Sequence, residues 1–99
     1  MWDMLFVEYM TQNWQRAIVL AESLHIHYRG KSKFNTCQLA IIAAHASMKL
    51  GNTAQCRKYL CEIEPLMAQK DIRDKLKRRE LWETYKDLLD GGAFTGDCK

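Results

Sequence analysis

Four cysteines, three histidines and a run of cations are the residues of this 99-residue chain that could do chemistry. His25-Ile26-His27 offers two imidazoles, but neither a cysteine nor a carboxylate stands at partner spacing, and a zinc site needs three or four such ligands. Two histidines so placed are structural. Cys56 and Cys61 lie five apart and no C-x-x-C occurs, so no zinc and no other cofactor is expected. Lys70, Arg73, Lys75, Lys77, Arg78 and Arg79 could meet phosphates, yet Asp71, Asp74 and Glu80 interleave with them and no aromatic platform accompanies the run. It reads as a solvated face, with no nucleic-acid partner. The chain lacks a phosphate-cradling G-x-x-x-x-G-K, a G-x-S-x-G nucleophile elbow, an H-E-x-x-H pair and any pair of carboxylates in an apolar setting. No reaction is proposed by these residues, and the expectation is a protein that is not an enzyme.

The elements that carry them are helical. Residues 37 to 63 hold a helical pattern broken by Gly51-Asn52. Ala40, Ala43, Ala44 and Ser47 repeat at i, i+3, i+4 and i+7, small enough for a second helix to approach closely, and Cys56, Leu60 and Ile63 resume the spacing beyond the break. Gly51 can end the first helix in the left-handed conformation, and Asn52 with Gln55 can cap the second. Upstream, Trp2, Leu5, Phe6, Tyr9 and Met10 share the helical period, as do Trp14, Ala17, Ile18, Ala21 and Leu24, with Asn13 as cap. These are two helical hairpins. From Asp71 to Asp90 the apolar residues divide between two faces, so that segment is either buried on two sides or interrupted near Lys77-Arg78-Arg79. Gly91-Gly92 should stop it, leaving a domain over 1–92 and a flexible tail over 93–99.

Composition sets the outer bounds. A hydrophobic share of 47% and a charged share of 27% belong to a globular chain, and one this short buries a limited core that a partner could supplement. A net charge of +3 is too mild to argue for nucleic acid by itself. No apolar run is long enough for a membrane span, and Met1–Met10 carries Asp3 and Glu8 without a basic leader, so neither membrane insertion nor a cleaved signal is expected. Cys37, Cys56 and Cys61 fall within helical apolar spacing, which suggests reduced thiols packed as small hydrophobes in a cytoplasm.

The Gly51 hairpin resembles one tetratricopeptide repeat, with Ala43 and Ala44 at its Leu-Gly pair and Cys56 at its small helix-B residue. Pro65 comes about three residues before the repeat's closing proline, and the helix-A aromatics are missing. Ala17 of the first hairpin matches Cys56 but stands 39 residues away against a period of about 34. That excess suggests an extended loop over Tyr28 to Lys33. The implied fold is all-α, a tetratricopeptide-like stack of antiparallel helical hairpins: two repeats and a C-terminal capping helix, or half of a unit that another chain completes.

Helix-A residues line the concave face of such a stack. Carried over, they are Trp2, Phe6, Tyr9 and Met10 in the first hairpin and Gln38, Ile41, His45, Met48 and Lys49 in the second. So apolar a set either forms a groove for an amphipathic helix or fills the core of a small bundle. The stretches AIVLAESLHI and AIIAAHASMKLGNTAQCRKYL also resemble the tetratricopeptide-like chaperones of the bacterial type III secretion needle subunit. That resemblance implies a cytoplasmic chaperone that holds an amphipathic helix of a self-assembling subunit, with a second small helical co-chaperone. The alternative is a tetratricopeptide adaptor or scaffold docking an extended peptide through polar clamps.

Overall fold

The computed structural model describes residues 2–28 and 30–90, and every regular element among them is helical. In chain order these are α1 (Trp2–Met10), α2 (Trp14–Tyr28), α3 (Lys33–Lys49), α4 (Thr53–Ile63), a 3-10 helix (Glu64–Ala68), α5 (Lys70–Arg78) and α6 (Leu81–Asp90). The expected helix stop at Gly91-Gly92 and the expected tail over 93–99 lie outside the described residues.

The core is organised around α3. Ten of its residues are buried, and from Cys37 to Ala44 they run without a break. A helix buried on all sides is apolar all round. Its small residues decide the packing: Ala40, Ala43, Ala44 and Ser47 are at most 2% exposed, and α2 and α4 make the most extensive contacts in the molecule against α3. The Ser47 hydroxyl donates to the Ala43 carbonyl at 2.8 Å, which satisfies a polar group that would otherwise be stranded. Ala17 and Ala21 of α2, and Cys56, Leu60 and Ile63 of α4, complete the two interfaces.

Left-handed residues cut the chain into helices. After α3, Gly51 has φ +81°, its N–H donates to Met48 O at 3.0 Å and that of Asn52 to Ser47 O at 2.8 Å. This paired closure satisfies the last carbonyls of the helix. Asn52 then caps α4 by accepting from the Gln55 N–H at 3.2 Å, and its amide donates back to Gln55 Oε1 at 3.0 Å. The same closure ends α1, but there the left-handed residue is Gln12, at φ 64°, with Gln12 N donating to Tyr9 O and Asn13 N to Glu8 O.

Two expectations change at this level. The extended loop expected over Tyr28 to Lys33 is shorter than that span, because α2 runs a full turn beyond Leu24 to Tyr28 and α3 begins at Lys33. Of the two alternatives for Asp71 to Asp90 the interrupted one holds, so the C-terminal cap is two helices and not one. It breaks at Glu80, which takes φ 62° with its N–H bound to Lys77 O, and α5 and α6 fold separately onto α3. The break lets Ile72 and Leu76 bury on one side of it and Leu81, Tyr85 and Leu88 on the other.

Cys37 and Cys56 are free and fully buried, and burial pushes their thiols up to about 12 and about 11. Neither is a nucleophile at neutral pH. Cys61, by contrast, is half-buried and disulfide-bonded, which corrects the expectation of three packed thiols.

Candidate partner-binding surface

The nine expected groove residues separate into four settings. Trp2, Phe6 and Tyr9 are half-buried and turn inward from α1. Trp2 stacks on Phe6 at 5.9 Å, lies 5.7 Å from the Tyr28 ring, and donates its indole N–H to the Tyr28 hydroxyl at 3.2 Å. Tyr9 meets Trp14 and His45 edge-on at 5.8 and 5.4 Å. These rings fasten α1 to α2 and α3, and such pairs add to what their buried area already contributes.

Gln38 and Ile41 are core. At 3% and 0% exposure neither can meet a partner while the fold is intact, and their place in a groove is corrected accordingly. The physical reason is α5 and α6, which pack on α3 where an open groove was expected. His45, Met48 and Lys49 form the third setting, a recess of about 270 Å³ that α6 completes with Thr84, Asp87 and Leu88. Here Tyr9 Oη and His45 Nδ1 are 2.5 Å apart. Burial first, and Lys49 second, lower the His45 pKa from 6.5, while Asp87 opposes them. The imidazole is therefore neutral at pH 7 and shares one hydrogen bond with the tyrosine hydroxyl.

Met10 is the fourth setting, 76% exposed. It is joined by two residues outside the expected set, Met4 at 52% and Val7 at 59%. Spacing by three keeps Met4, Val7 and Met10 within a sector of about 120° on the helix. Leu5 on the opposite flank is wholly buried, so α1 is apolar on both sides. The sequence carries the signal for this, since Asp3 and Glu8 are the only charged residues in Trp2–Met10. A helix that is apolar all round has more surface than one interface can cover. On the rim, Glu8 pairs with Arg16 of α2 at 3.3 Å. Val19 and Ile26 are also exposed on α2, two turns apart.

Among the described residues, no three His, Cys, Asp or Glu side chains are grouped to hold a metal ion, and no helix is long and apolar enough to cross a membrane. His25 Nε2 approaches Glu62 Oε2 at 3.3 Å beside Glu22 and Tyr59, where Tyr59 donates to Glu22. That contact ties α2 to α4. No protein-family model, curated protein or solved structure matches this chain.

Proposed function

We propose that the protein is a non-catalytic binding module, tetratricopeptide-like in arrangement, that shields an amphipathic helix of a self-assembling partner. The observation that carries this reading is the exposed Met4–Val7–Met10 stripe on α1. Two flexible thioethers and a branched side chain on a helix held rigid from behind by aromatic rings suit a partner helix of varied shape. Covering the stripe would contribute on the order of a few kcal/mol, enough to hold a complex assembled from several such contacts. The repeat-like arrangement is supported by two hairpins with short turns and small residues at each helix crossing. A needle subunit as the partner, the second helical co-chaperone and the cytoplasmic location rest on the sequence resemblance alone, and the disulfide of Cys61 weighs against the last.

Relative to the inner face of α3, the binding surface moves to the outer face of α1. Val7→Glu and Met10→Glu are therefore expected to keep the helical circular dichroism and melting of the parent and to lose binding to a synthetic amphipathic helix or a co-expressed needle subunit. Ile41→Asp should unfold, because a buried unpaired charge costs several kcal/mol, comparable to the stability of a small domain. Undiminished binding by both α1 variants would sink the proposal.

A further inference from the structure

The basic run is not a uniformly solvated face. Lys75, Arg78 and Arg79 converge on Phe34, at the start of α3, around a recess of about 310 Å³. Arg79 also borders a neighbouring recess of about 290 Å³ whose wall is Trp2 and Phe6 and whose polar edge is Asp3, Asn35 and Gln38. Basic side chains in the last turn of α5 suit the negative end of that helix. That preference does not explain why they gather over an aromatic ring on a different helix. Among the described residues none of the three cations is ion-paired, and Asp74, one turn before Arg78, does not bridge to it.

We propose that this seam docks an extended acidic peptide of a partner protein. The inference stands on a surface separate from the α1 stripe and does not depend on it. Guanidinium groups take carboxylates bidentately, so Arg78 and Arg79 provide the charge complement, while the Phe34 and Trp2–Phe6 walls accept apolar side chains of the peptide. Asn35, half-buried, places an amide group beside the second recess, where a peptide backbone presents both donors and acceptors.

The state of the rings decides between this partner and a nucleic acid. Single-stranded nucleic acids bind sequence-tolerantly by stacking bases on free aromatic faces. Here Lys75 Nζ lies 5.6 Å above the Phe34 centroid, and Trp2 is already engaged by Phe6 and Tyr28. The rings serve as walls and not as platforms.

Fluorescence anisotropy of the full chain tests the seam with three labelled probes: a short peptide alternating Glu with Leu and Phe, the same peptide with Lys for Glu, and oligo-dT. The acidic peptide should bind, more weakly as salt rises, and the other two should not compete with it. Arg78→Glu with Arg79→Glu should weaken binding about tenfold, which is about 1.4 kcal/mol for the two exposed charge pairs together. Val7→Glu should leave it unchanged, which separates this seam from the α1 stripe. Both arginines are exposed, so their variants should melt as the parent does. No binding of the acidic peptide, equal binding by the double variant, or tighter binding of oligo-dT would each overturn the proposal.

Discussion

Tyr9 and His45 join α1 to the central helix by a hydrogen bond between the phenol hydroxyl and Nδ1 of a neutral imidazole. Every element around them has a say in that charge. Lys49 on α3 disfavours the imidazolium, Asp87 on α6 favours it, Thr84 on α6 hydrogen-bonds Tyr9, and the Trp14 ring of α2 lies 5.3 Å from the imidazole. Burial outweighs the rest and holds the folded pKa below 6.5. The unfolded chain then binds more protons than the folded one as pH falls through 6.5, so the contribution is complete above that value and is lost below it. The melting temperature should fall between pH 7.5 and 5.5. His45 is only half-buried and solvent screens it, so the slope stays under the roughly 1.4 kcal/mol per pH unit of one fully coupled proton. His45→Asn, which keeps an acceptor and cannot titrate, should flatten the profile; an unchanged profile would mean that other groups set it.

At the scale of elements, a left-handed residue follows four helices, glycine at Gly30 and Gly51 and a longer side chain at Gln12 and Glu80. Gly51 takes the left-handed conformation at little steric cost, whereas Gln12 and Glu80 take it with side chains that disfavour it. Exchanging them should move stability in opposite directions. Gln12→Gly and Glu80→Gly are each expected to stabilise, and Gly51→Gln to destabilise, by about 1 kcal/mol in chemical denaturation. A loss in both glycine variants would show that the Gln12 and Glu80 side chains contribute more than their backbones cost. The same contrast explains what the sequence could tell. The turn at Gly51-Asn52 was legible because glycine and a capping pair announce it, and the helices around it because their apolar residues keep the period. The interruption at Glu80 was not resolved, since neither glycine nor proline marks it and only the register of Leu81, Tyr85 and Leu88 against α3 requires it. Sequence alone places Gln38 and Ile41 in a groove for a related reason. Periodicity finds the apolar face of a helix, but it cannot say whether the chain's own later helices will cover that face. Phe34 and the arginines, more than forty residues apart, are brought together by that same covering.

The whole molecule depends on how firmly α5 and α6 are seated. They bury Ile72, Leu76, Leu81, Tyr85 and Leu88, none more than 6% exposed, and both helices pack on α3. Each such side chain is worth about 1.5–3 kcal/mol when buried, so together they rival the 5–15 kcal/mol by which whole domains are stable. A chain ending after Ala68 should therefore lose cooperative melting, expose the apolar face of α3 and self-associate in sedimentation experiments. Ile41, wholly buried in the full fold, stands one turn before His45, whose recess α6 completes, and is expected to be uncovered without the C-terminal pair. If the truncated chain instead melts cooperatively near the parent temperature, α5 and α6 are a removable cover. A partner helix could then replace them on α3, and the inner face would return as a binding groove. Adding a synthetic amphipathic helix to the truncated chain distinguishes these outcomes directly, because only a preformed groove would bind it without a coupled gain of helical signal from the chain itself.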